Sequence, residues 1–245
     1  MSMNVSNAAL DIKFTPVELS LLADLQRLAQ VVRLQGYPCR AYSPKSIITL
    51  KTLPLDKKEL LAKQLRSVLN IVISTPETEP SSSDHPERCY VEQALKMYDL
   101  ELRDDYWGKL EKDDVIEMYN SENIQLFRTF NFFKISSYSL LDLLTNEWYH
   151  LWERPSFVME ALIQAAGEMM EGKMQKTSQI KAARHILKEI YHDDSIDFKC
   201  SSVLVEPGMA CPLYEKGSNE VKGFLFSLRG KVIGYDSEAD KIAII

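Results

Sequence analysis

The sequence predicts an α+β protein in which helices come first and a small antiparallel sheet follows. Three observations carry that expectation. Before residue 75, apolar residues recur at three- and four-residue steps between helix-capping signals, whereas from Phe198 apolar and polar residues alternate between turn-forming clusters. The stretch "STPETEPSSSDHPER" between the first helices and the rest is rich in proline and serine and has little to bury. With 245 residues, 45% of them hydrophobic and 26% charged, the chain is long enough and apolar enough to bury a core.

The first element is "FTPVELSLLADLQRLAQVVRLQGY", a helix marked at both ends. Thr15 caps it, Pro16 suits its first position, Glu18 completes a capping box and Gly36 stops it. Val17, Leu21, Leu25, Leu28 and Val32 share one face. "CRAYSPKSIITLKTL" reads as extended, with a Ser-Pro turn and alternation at Ile48 and Leu50, and predicts one or two short strands. "LPLDKKELLAKQLRSVLNIVIS" repeats the helix logic, with Asp56 and Glu59 as a box, Leu55 and Leu60 as a hydrophobic staple, and Leu61, Leu65, Val68 and Val72 as the buried stripe. Residues 1–74 thus form an N-terminal helix–strand–helix unit, 75–88 a linker or surface loop, and 89–245 a helical region with a C-terminal antiparallel sheet.

Beyond the linker, Val91, Leu95, Tyr98 and Leu102 recur at helical spacing, and the acidic stretch from Asp99 to Glu117 reads as a solvated face. Ser139 caps a helix through "SYSLLDLLTNEWYHLWERP" that ends before Pro155, and Pro155 opens the next. "SFVMEALIQAAGEMMEGKMQ" and "TSQIKAARHILKEIYHDD" read as two helices parted near Gly172. The first would bury Met159, Leu162, Ile163 and Ala166, the second Ile180, Ala183, Leu187 and Ile190. From Phe198, "EPG", "KGSNE", "RG" and "DSEAD" punctuate a meander of about four or five strands, closed by "KIAII" and with "DKIAII" paired against "KVIGY".

Several kinds of chemistry are disfavoured. A net charge of −6 and a pI near 5.4 argue against a broad phosphate-binding surface, so no nucleic-acid partner is expected. No basic start leads into an apolar run and no membrane-length apolar stretch occurs, which predicts a soluble cytoplasmic protein. Cys39, Cys89, Cys200 and Cys211 are scattered without a CxxC, as reduced thiols are. His85 with these cysteines lacks the close ligand pairs of a zinc site, and His85 itself is expected in solvent. His150 or His185 beside Cys200 or Cys211 shows no signature of a nucleophile and its base. Asp104, Asp105, Asp113 and Asp114 lack the ligand alternation and turn glycine of a calcium loop, and no glycine-rich phosphate cradle is present. No metal is expected, and no cofactor is identified.

The clearest functional signal is the aromatic run "RTFNFFKISSYSLLDLLTNEWYHLWERP". Phe130, Phe132 and Phe133 suit a core. Trp148 and Trp152, four apart on the expected helix, with Tyr149 and Tyr138, suit the wall of a ligand pocket or a protein interface.

The longer stretch "VIEMYNSENIQLFRTFNFFKISSYSLLDLLTNEW" resembles the front half of a PAS-type sensor domain, in which a strand leads to an Asn, a short helix and a "GYS-x-x-E-L-L" turn. Here Asn120 and "SYSLLDLL" stand in those places, with Ser137 where the glycine is usual, and the resemblance covers roughly 113–235. It implies a helical connector and then three antiparallel strands, for which "FKCSSVLVEP", "MACPLYE" and "VKGFLFSLRGKVIGY" are the candidates. It brings no haem, flavin or chromophore residue with it. The functional expectation is a non-catalytic sensory or regulatory module that binds a small ligand or a protein partner, with a homo-oligomer compatible with that role. An enzyme with a site assembled from scattered Cys/His or carboxylate residues is the alternative. A transcriptional regulator comes third, lacking helix–turn–helix spacing and a basic recognition helix.

Overall fold

The computed structural model describes residues 13–75, 85–190 and 200–235. Helix α1 (Pro16–Leu34) begins as its sequence predicts: the Thr15 hydroxyl accepts from the Glu18 N–H, and the Glu18 carboxylate accepts from the Thr15 N–H at 2.7 Å. Helices α2 (Pro44–Thr52) and α3 (Leu55–Ser74) complete the N-terminal part. The expected helix–strand–helix unit is therefore three helices. Ser43 and Pro44 start α2 as cap and first residue instead of making a turn, and its buried positions Ser46 and Leu50 are four apart, with Ile48 left exposed. Helix α3 starts at Leu55, so Asp56 lies in its first turn and caps nothing, and Leu55 and Leu60 are exposed instead of stapled. Buried Glu18 ties the three helices together, pairing with Lys51 at 2.8 Å and Lys58 at 2.9 Å. Burial pushes its carboxyl up, but the bonds from Lys51 and Lys58 outweigh this and hold it down at about 2.

After α4 (Arg88–Met97) comes a short strand, β1 (Leu100–Glu101), then the hairpin of β2 (Val115–Asn120) and β3 (Gln125–Arg128). The Asn120 side chain closes this turn by accepting from the N–H groups of Glu122 and Ile124, and Asn123 takes φ 60°. A 3-10 turn, Phe130–Lys134, leads to α5 (Leu140–Thr145), which Ser139 caps as expected, and Asp142 completes a capping box with it. The predicted single helix breaks at Asn146. Its remainder is α6 (Trp148–Leu151) and β4 (Trp152–Glu153). Helix α7 (Ser156–Met170) follows Pro155 and ends before Gly172, at φ 70°.

The second predicted helix of this region is absent. In its place are β5 (Ser178–Gln179) and β6 (His185–Glu189), the latter burying His185, Leu187 and Glu189 while Ile186 and Lys188 face out. Good helix formers are overruled here by pairing with the sheet. The remaining strands are β7 (Cys200–Glu215) and β8 (Val221–Tyr235), joined by the expected turn at Gly217. The stretches around "EPG" and "MACPLYE" are one strand, not two. "EPG" marks a bulge in β7, where Gly208 and Met209 oppose Ser227 alone and the Met209 N–H bonds to the Ser227 hydroxyl. "RG" lies within β8. The expected strand "DKIAII" falls outside the described residues.

The described strands form one antiparallel sheet in the order β3-β2-β8-β7-β6-β4, with β5 and β1 also paired to β7. The successive buried residues of β2 show that both its faces are covered. Ile116 and Met118 join the large core with Leu21, Leu65, Leu95 and Phe127, so the N-terminal helices and the sheet share one interior across residues 75–88. Tyr119, Phe224 and Phe226 meet Ala165 and Met169 of α7 in a smaller cluster. The backbone joins the two regions as well, since Leu140 and Leu141 N–H groups bond to the carbonyls of Arg40 and Ala41.

Candidate functional site: a cleft between α7 and the sheet

A cleft with a cavity of about 70 Å³ lies where α7 crosses the sheet. Helix α7 supplies Val158, Leu162, Ile163 and Ala166; β6 supplies His185 and Leu187; β7 supplies Val205 and Pro207; and β8 supplies Phe226 and Leu228. These walls are largely apolar. The face of α7 that enters the core is Val158, Ala165 and Met169, rotated from the predicted stripe, and this rotation leaves Leu162, Ile163 and Ala166 to line the opening.

One end is polar. Glu117 of β2 is nearly fully buried, as a strand residue between apolar neighbours must be. Its Oε1 pairs with Arg128 Nε at 2.8 Å, and its Oε2 accepts from the Tyr119 hydroxyl at 2.9 Å. Gln125 in turn donates to that hydroxyl at 3.0 Å. Burial and the adjacent Glu117 carboxylate raise the Tyr119 phenol well above its ordinary range, so it stays protonated and donates. Arg154, between β4 and α7, lies at the same end. Burial draws its guanidinium below the usual arginine range, against the attraction of Glu117 and Tyr119. His185 is pulled down by burial, against its contact with the Ala183 carbonyl, with Arg154 adding to the fall. Because that carbonyl only accepts, the imidazole proton sits on Nδ1, 2.9 Å away.

The cleft can bind and orient, and the thiols of Cys39, Cys89 and Cys211 lie outside it. Burial raises Cys39 and Cys211 to about 12, so both remain thiols. Among the described residues, no group of three or more His, Cys, Asp or Glu side chains is placed to hold a metal ion. His85 is buried instead of solvated, with Nε2 at 2.9 Å from the Asp114 carbonyl oxygen. The acidic run is likewise not all a solvated face: Asp114 is buried and pairs with Arg229 at 3.0 Å, and Asp104 accepts from the N–H and hydroxyl of Thr177.

Of the predicted aromatic site, Tyr138 and Trp152 are core. Their rings meet edge to face at 5.8 Å, Trp152 also meets Phe132 at 6.3 Å, and the Tyr138 hydroxyl donates to the Leu151 carbonyl. Tyr149 is exposed beside His150. Trp148 lies at the start of α6, while Trp152 has passed into β4, so the two do not share a helix face. Tyr138, Tyr149 and Trp152 do not line the cleft. They connect to it indirectly: Phe132 carries the Arg128 guanidinium over its ring at 4.2 Å, and Arg128 holds Glu117.

The sequence does not point to Glu117 or Arg154, and it offers His185 only as a base beside a cysteine. Glu117 carries a usable signal, a charge inside an apolar strand pattern, which the neighbouring acidic run obscures. Its local sequence puts His185 in a helix, and nothing local distinguishes Arg154. No helix among the described residues is long and apolar enough to cross a membrane. Comparison with protein-family models, with curated proteins and with solved structures returned no match.

Proposed function

We propose that this protein is a non-catalytic sensory or regulatory module whose cleft between α7 and the sheet takes a small, mainly apolar molecule. One observation carries the reading: apolar walls from α7, β6 and β8 converge on a polar cluster of buried Glu117 and Tyr119 with half-buried Arg154. That is the make-up of a small-molecule site, in which apolar area supplies affinity and a few fixed polar groups supply orientation. The PAS-type resemblance is supported by the topology. After the β2–β3 hairpin come α5, α6, β4, α7 and then β5 to β8; α7 stands where the resemblance asks for a connector, and β8, the last described strand, lies between β2 and β7.

The test has two arms. Mass spectrometry under non-denaturing conditions reads whether a small molecule travels with the protein. Methyl NMR during titration with uncharged hexan-1-ol is expected to shift the Val158, Leu162 and Leu187 methyls, and Ala166→Trp, which places a ring in the opening, is expected to suppress those shifts. A protein that carries no added mass and shows unmoved methyls refutes the reading.

A further inference from the structure

The polar end of the cleft constrains what the ligand's own polar group can be; this inference rests on the cleft being the ligand site. Among the described residues, two guanidinium groups, Arg128 and Arg154, stand around one carboxylate, Glu117. Both Glu117 oxygens are engaged, one with Arg128 at 2.8 Å and the other with the Tyr119 hydroxyl at 2.9 Å. Arginine offers five N–H donors in a fixed fork, so Arg154 can keep a protein contact and still present donors to a ligand. A cationic head would meet Arg154 at close range in a poorly solvated place, and a wholly apolar ligand would strip water from the guanidinium without replacing its bonds. A carboxylate avoids both costs and matches the fork in shape.

We propose that the cleft selects a short-chain monocarboxylate, its head on Arg154 and its aliphatic chain between Leu162 of α7 and Phe226 of the sheet. A cavity of about 70 Å³ favours a short chain over a long one.

The deciding experiment compares hexanoate with hexan-1-ol on the full chain by isothermal titration calorimetry, at equal chain length and neutral pH. Hexanoate is expected to bind at least tenfold tighter. Ala166→Trp is expected to abolish both interactions, and Arg154→Met to weaken hexanoate until the two ligands bind alike. The wild-type comparison needs no substitution, so it stands even where Arg154→Met fails to fold. Equal affinities, or tighter binding of the alcohol, overturn the carboxylate assignment while leaving the cleft reading intact. Hexanoate binding that survives Ala166→Trp places the anion elsewhere and also overturns it. Binding of neither ligand removes the cleft reading and this inference together.

Discussion

Glu87 offers a test of the interior by pH alone. Its carboxylate is nearly fully buried and accepts from the N–H of Phe130 and, at 3.0 Å, from that of Asn131, thereby capping the 3-10 turn that carries Phe132 and Phe133. Burial pushes its carboxyl up from 4.5 to about 7, although both backbone donors and Lys134 pull the other way. Across that window the folded chain holds a proton that the unfolded chain has released, so raising the pH weakens the fold, and below the window the contribution is fully present. The gap corresponds to about 3 kcal/mol, at ~1.4 kcal/mol for each tenfold. Glu189, also buried and raised to about 7, acts in the same direction. His85 and His185, held below the ordinary imidazole value by burial, act in the opposite one. The informative quantity is therefore the difference between wild type and Glu87→Gln, which keeps one acceptor and cannot ionise. Urea unfolding from about pH 4 to about pH 8 should show the wild type losing about 3 kcal/mol relative to the variant. Parallel profiles for the two proteins would refute the account of Glu87.

The other expectations concern packing and caps. Sequence reasoning predicts that Trp152→Ala alters binding more than stability. The structure buries Trp152 against Phe132 and Tyr138, so Trp152→Ala and Phe132→Ala should each cost roughly 3–5 kcal/mol, read by chemical denaturation, and the double variant should fall short of their sum because the rings touch. Ser139→Ala removes the cap of α5 and should cost about 1 kcal/mol; no change in midpoint would mean that the turn holds without it. In Gly223→Ala the new Cβ would press on the Tyr119 carbonyl oxygen across the β2–β8 pair, so a loss of roughly 1–3 kcal/mol is expected, with amide exchange quickening at Tyr119 and Asn120.

What the sequence revealed depended on how local the cause was. The Thr15 and Ser139 caps, the stop of α7 near Gly172 and the turn at Gly217 were legible because a few adjacent residues decide them. Strand β6 was not, because its residues favour a helix and only their pairing with Val203 and Val205 makes them a strand. The site was legible least of all. Glu117 lies on β2, Arg154 between β4 and α7, and His185 on β6, and no spacing along the chain foretells their meeting. The aromatic run stands out in the sequence, yet its Trp152 and Tyr138 pack in the interior and do not line the cleft.

The position of β2 between β3 and β8 has a consequence for how the chain is made. Val115 pairs with Leu228 and Tyr119 with Phe224, so β2 emerges from the ribosome more than a hundred residues before its partner does. At a synthesis rate of ~5–20 residues per second that interval lasts on the order of ten seconds. Meanwhile the nascent hairpin offers one protected edge, toward β3, and one open edge ready to pair with any extended segment it meets. Contacts of such sequence separation also fold slowly once the chain is complete. Recovery of native protein should therefore depend on expression temperature and on chaperones far more than the finished sheet would suggest, and the vulnerable species is the half-made chain.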